Sequence, residues 1–205
     1  MRRKINAEVS KITDEELFSS AAFAAYLTDI AEAVTKRYKR KLRVETIYDT
    51  SENAMIACTN NRNILINTGN YISQSMPYRK LKAESILGLV GHEVGHMLFT
   101  NFRISETYFS ELSYGRLYPQ MELSEEEQES FTEVTDYFKT GTEAQKQAIL
   151  KAAKLLLNIL EDAYIEARIC DRYTGRFATG IHLNNIRFTE MMPSVTEQLT
   201  NGCYR

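Results

Sequence analysis

The sequence predicts a mainly helical α+β domain in which one small sheet packs against a motif-bearing helix. Three observations lead there. Only 3 Pro and 9 Gly interrupt 205 residues, and the chain carries long Ala/Leu/Glu/Lys stretches. Three capping boxes stand ahead of apolar periodic segments. A β-rich pattern is confined to residues 42–68. The length suits a single domain over residues 1–205 with a sizeable core. The helix-like stretch that closes with Asn201-Gly202 also fits the N-terminal part of a longer protein.

Taken in order, Thr13-Asp14-Glu15-Glu16 is the first capping box. Thr13 caps a helix while Glu16 reaches back to it. Leu17, Ala21, Tyr26, Leu27, Ile30 and Val34 extend that helix to a basic stop at Lys36-Arg37-Tyr38-Lys39-Arg40-Lys41, which reads as a solvated helix end. Residues 42–48, 54–58 and 63–67 are three short strands, with Thr59-Asn60-Asn61-Arg62 as a hairpin turn. Ser75 and Pro77 are placed to open a helix from about Tyr78 to Phe99. From Thr100 to Leu123 the chain is polar and Tyr-rich, and periodicity says little. Ser124-Glu125-Glu126-Glu127 opens a helix ending near Gly141, and Thr142-Glu143-Ala144-Gln145 opens the longest one, to about Cys170. A short helical pattern follows around Ile181–Met191.

Composition excludes several classes. With 25 Lys+Arg against 27 Asp+Glu and a net charge of -2, there is no basic footprint for nucleic acid. No apolar run approaches the roughly 18–20 residues of a membrane span. The basic start Met1-Arg2-Arg3-Lys4 lacks the apolar stretch of a signal peptide. Cys58, Cys170 and Cys203 are odd in number and far apart, which argues against a disulfide framework and fits a reducing, cytoplasmic interior.

The chemistry is concentrated in Gly91-His92-Glu93-Val94-Gly95-His96. Two histidines at i and i+4 share one helix face, so both imidazoles can reach one zinc ion. Glu93 lies about 100° around the helix from His92, beside the metal. There it can take a proton from metal-activated water and deliver it to a leaving amine. By chance alone this pattern arises in such a chain on the order of half a per cent of the time. It uses two of only three histidines and falls inside a predicted helix. Gly88, Gly91 and Gly95 add a second signal, because each costs about 1 kcal/mol in a helix interior relative to Ala. Close approach of a neighbouring element is one reason to keep them.

A catalytic zinc site takes three protein ligands and leaves one position open. His182 is one candidate for the third. The better candidates lie in Asn158-Ile159-Leu160-Glu161-Asp162-Ala163-Tyr164-Ile165-Glu166. Leucines and isoleucines surround them, which predicts a buried helix whose carboxylates need a cation. Glu161 is favoured narrowly for its reach. Asp162 is the alternative, with Glu166 one turn on to hold a ligating histidine by its free N–H. Tyr164 and His182 are candidate oxyanion donors. The strand Asn63–Asn67, read as an edge, could pair with an extended substrate backbone.

These two segments resemble the zincin metallopeptidases of the glutamate-ligand kind. More closely, they resemble the metallopeptidase region of bacterial and phage proteins that carry a von Willebrand A-type domain, including cobaltochelatase-subunit-like chains. The similarity covers mainly residues 78–99 and 147–170. It implies a zincin-like fold over 1–205, Zn²⁺ held by His92, His96 and Glu161 or Asp162, Glu93 as base, and a peptide or protein as substrate. Tyr164 stands where an Arg is usual in that family, and 205 residues leave no room for the von Willebrand A-type domain. The resemblance therefore also implies a larger, ATPase-linked assembly formed through that missing domain. The alternative is a non-catalytic, metal-stabilised module docking onto such an assembly.

Overall fold

A computed structural model describes residues 11–38 and 41–200. Met1-Arg2-Arg3-Lys4, Lys39-Arg40 of the basic run, Asn201-Gly202 and Cys203 lie outside the described residues. The architecture is mainly helical with one three-stranded sheet. In chain order the elements are α1 (Asp14–Phe18), α2 (Ala21–Thr35), β1 (Arg43–Ile47), β2 (Ala57–Thr59), β3 (Asn63–Asn67), α3 (Tyr71–Gln74), α4 (Arg79–Phe99), α5 (Phe102–Ser113), α6 (Glu125–Thr140), α7 (Glu143–Arg172), α8 (Arg176–Met191) and α9 (Val195–Thr200). They form two compact units, Met1–Phe99 with Ile165–Arg205, and Thr100–Tyr164. No helix of the described residues is long and apolar enough to cross a membrane.

In the first unit the expected opening helix is two. Thr13 and Glu16 form the capping box of α1, but Ser20 then accepts a hydrogen bond from the Phe23 amide and starts α2 afresh. A serine that caps cannot also continue a helix, because its backbone is extended. Asp14 binds Arg79 Nε at 2.6 Å and Lys82 Nζ at 2.8 Å, tying α1 to α4.

The first and third strands form in the predicted segments, the second forms as Ala57–Thr59, shifted into the predicted turn, and their order is β1-β3-β2. β2 and β3 make the hairpin, whose turn is held by Asn60 Oδ1 accepting the Arg62 and Asn63 amides. β1 joins β3 in parallel, with Val44 opposite Ile64. Asn63–Asn67 is therefore the central strand and not an edge. Both of its sides are hydrogen-bonded, and its Ile64 and Ile66 are fully buried. The edge beside α4 is β2.

Ser75 closes the short helix α3, which Asn70 caps, and does not open α4. α4 runs beneath the sheet and against α2 and α8. The core gathers Phe18 and Leu27, Val44, Ile64 and Ile66 of the sheet, Ile86, Val90 and Val94 of α4, Ile169, and Phe177 and Ile181 of α8.

The three glycines of α4 meet two different neighbours. A Cβ on Gly88 would stand 2.3 Å from the Gly180 carbonyl carbon, so α4 and α8 cross backbone to backbone. Gly91 accommodates the Phe177 ring, and Gly95 accommodates Ile165 and Ile169 of α7.

The second unit contains α5, α6 and most of α7. α5 arises where periodicity is uninformative; Asn101 caps it by accepting the Ile104 amide. The capping boxes at Ser124 and Thr142 open α6 and α7 as expected. Leu112 and Phe138 are its buried apolar side chains. The expectation of a buried α7 fails over its middle turns. Leu155, Leu156, Ile159 and Leu160 are each more than half exposed. Burial on this helix is confined to Ile165 and Ile169, where Gly95 gives them room.

The glycine contacts generate a graded prediction. Gly88→Ala should lower stability by about 3 kcal/mol, since rigid backbone must move. Gly95→Ala meets side-chain carbons of Ile165 and Ile169 at 3.1–3.3 Å, which need give by only a few tenths of an ångström, and gains helix propensity, so its net cost should stay within about 1 kcal/mol. Denaturant unfolding of the whole chain measures both; equal losses would contradict the backbone crossing.

Candidate metal centre

α4 presents His92, Glu93 and His96 on adjoining faces of one helical turn. The two imidazole rings lie with centroids 4.9 Å apart and planes at 77°, so their edges converge. Glu93 is 4% exposed. It shares with His92 and Glu166 a cavity of ≈ 230 Å³ walled by Ile72, Ile181 and Phe188. β2 contributes Ile56, just before its first residue, and Ala57 to the same cavity.

Glu166, on the last third of α7, fixes His92. Its Oε1 lies 2.9 Å from His92 Nδ1. An ionised carboxylate can only accept, so Nδ1–H of His92 donates in this contact. The second oxygen of Glu166 accepts from Asn185 Nδ2 of α8 at 2.9 Å. The preceding residue, Asn184, is buried and turned toward α4. It accepts from Ser85 Oγ at 2.6 Å and donates to the Ser85 carbonyl at 3.0 Å. Ser85 in turn meets Ser73 Oγ at 2.8 Å, which extends the buried polar chain to α3.

The two neighbouring acids of α7 differ in direction. Asp162 and Glu166 are one turn apart and share a face, whereas Glu161 is rotated by about 100° from Asp162. The ligand atoms of His92, His96 and Asp162 all lie within 4.8 Å of one another. Among the described residues, Glu161 joins no such group. α7 is one unbroken helix here, so the position of Asp162 follows from that of Ile165 and Glu166.

Two other predicted residues are not among those lining the cavity. His182 is exposed on α8, one residue past the buried Ile181, and Tyr164 is about half exposed. Cys58, an exposed free thiol on β2, is pushed above its ordinary pKa, first by partial burial and then by the Glu93 carboxylate. The charge of Glu93 is thus felt at β2.

Sequence reasoning missed Ser85, Asn184 and Asn185. The available signal was the Asn184-Asn185 pair inside a helical pattern, since asparagine is a poor interior helix former and survives there when its amide is used. Comparison with protein-family models, with curated proteins and with solved structures finds no match.

The buried amide pair is testable. Ser85→Ala leaves Asn184 Oδ1 without its hydroxyl donor, and should cost about 2 kcal/mol in denaturant unfolding. A loss near zero would mean that the Ser85–Asn184 contact does not hold α8 in place.

Proposed function

We propose that this chain is a zinc-dependent, zincin-like peptide hydrolase, with His92, His96 and Asp162 as metal ligands and Glu93 as general base. One observation carries the reading: two imidazoles and a carboxylate converge within 4.8 Å, next to a buried glutamate that opens on a cavity. The donor set suits zinc. Two neutral nitrogens and one carboxylate oxygen are the ligand types of catalytic zinc sites, which keep a fourth position for water. Glu166 supports the assignment by meeting His92 Nδ1, the arrangement that orients a metal-bound imidazole. The direction of Asp162 along α7 favours it over Glu161.

Bound there, zinc supplies Lewis acidity toward a peptide carbonyl and lowers the pKa of water toward 7. The remaining work belongs to the chain. Glu93 accepts a proton from the attacking water and returns it to the departing amine, a transfer that needs one carboxylate able to face both. Apolar walls at Ile72, Ile181 and Phe188 keep bulk water from that carboxylate. β2 is the strand at the sheet edge nearest Glu93, and an extended peptide adding to it would lie along the cavity. This assigns to β2 the substrate-pairing role that the sequence suggests for Asn63–Asn67.

Glu93→Gln should keep zinc at one equivalent and lower peptide hydrolysis by about 10²–10⁴-fold. Asp162→Ala should weaken zinc binding by at least about 100-fold, while Glu161→Ala leaves it within about twofold. Elemental analysis and chelator competition read the metal, and a quenched-peptide library reads cleavage. Full turnover in the Glu93 variant, or loss of zinc from the Glu161 variant alone, would refute the assignment.

A further inference from the structure

We propose that Asn185 is a positioning residue for the metal centre, acting through Glu166 on His92; the inference rests on the metal-binding reading above. Glu166 has two oxygens and one aliphatic stem with three rotatable bonds. Its contact with Nδ1 of His92 engages one of those oxygens. The amide of Asn185, at 2.9 Å from the second oxygen, engages the other. The carboxylate is then held from both sides, by an imidazole on α4 and an amide on α8.

The placement of Asn185 is itself determined by packing. Gly88 and Gly180 bring α4 and α8 into backbone contact. One turn beyond Gly180, Asn184 locks the rotation of α8 through two hydrogen bonds to Ser85. Arg187 adds bonds from Nε to Ser75 Oγ at 2.8 Å and from Nη2 to the Ser75 carbonyl at 3.3 Å. With residues 184 and 187 anchored, residue 185 stands where its amide reaches Glu166. Asn185 itself is exposed, so its hydrogen bond adds little to global stability. Its effect is orientation: it keeps Nδ1–H of His92 engaged, and hence Nε2 aimed at the cation.

An amide suits this position in a way its isostere does not. Asn185→Asp has the same shape but no hydrogen to donate, and sets a carboxylate against a carboxylate. Asn185→Ala simply removes the donor.

The test uses the full chain, stripped of metal and titrated with Co²⁺ and with Zn²⁺. Cobalt reports ligand geometry through its visible absorption, and Zn²⁺ affinity follows from chelator competition. Asn185→Ala and Asn185→Asp should each weaken Zn²⁺ binding by about tenfold and alter the Co²⁺ spectrum. Their metal-free unfolding midpoints should match the parent chain. In a Glu166→Ala background, adding Asn185→Ala should produce no further loss, because the residue acts through that carboxylate. Parent-like affinity in both single variants, or full additivity with Glu166→Ala, would overturn the proposal. If the parent chain binds neither ion, the metal reading itself fails and this inference goes with it. If the parent binds both but the Asn185 variants are unchanged, only the positioning role fails.

Discussion

The crossing of α4 and α8 at Gly88 and Gly180 is the constraint on which the site depends. Packed helices ordinarily sit 8–10 Å apart, with side chains between them. Here two glycines face each other, and a Cβ on either would fall within 2.3–2.7 Å of backbone atoms opposite. Contact this close leaves little freedom in angle or register. It brings Ser85 under Asn184 on one side of the crossing and Gly91 under Phe177 on the other. His92 follows Gly88 by one turn, so a contact made by backbone alone settles where the first imidazole stands relative to α8.

The electrostatics follow from this packing. Glu93 and Glu166 both border a cavity whose walls are largely apolar, and Asp162 lies a turn before Glu166 on α7. Charges in such surroundings are costly unless answered by hydrogen bonds or counter-ions. Glu166 is answered by His92 and Asn185. The Cys58 thiol, on the edge strand, is pushed up first by partial burial and then by the Glu93 carboxylate. Carboxylates gathered beside the imidazoles would disfavour the thiolate form of a nearby cysteine.

How much of this was legible in the sequence depended on whether the signal was local. The capping boxes at Thr13, Ser124 and Thr142 are encoded within four residues each, and all three helix starts stand where they predict. The spacing of His92, Glu93 and His96 is local too, and so is their sharing of one turn. The order of the strands was not legible, because Asn63–Asn67 reads the same as an edge or a centre until Arg43–Ile47 pairs with it in parallel. The leucines of α7 misled for a related reason: apolar composition shows what a helix could bury, and only tertiary contact decides what it does bury. Leu155 and Leu156 remain exposed, while Ile165 and Ile169 are covered. Ser85, Asn184 and Asn185 were invisible because their roles exist only across the α4–α8 contact. Ser85 and Asn184 are 99 residues apart in the chain.

Helix phase separates Glu161 from Asp162 where residue type does not. Glutamate has the longer reach, which is why spacing alone favours Glu161. α7, however, is seated by Ile165 and Ile169, whose side chains press against Gly95 where α4 has no Cβ. Those isoleucines are one turn apart and form a ridge. Asp162 and Glu166 form a parallel ridge, each three residues before an isoleucine and therefore about 60° around the helix from it. Seating the first ridge at Gly95 turns the second toward the neighbouring positions of α4, where His92 and His96 stand. Glu161, one turn before Ile165, lies about 40° from the isoleucine ridge on its other flank, and the contact of Glu166 with His92 shows which flank faces the histidines. The glycine next to His96 thus does more than soften a helix: by admitting Ile165 and Ile169 it sets the rotation of α7, and with it which of two adjacent acids faces the histidines.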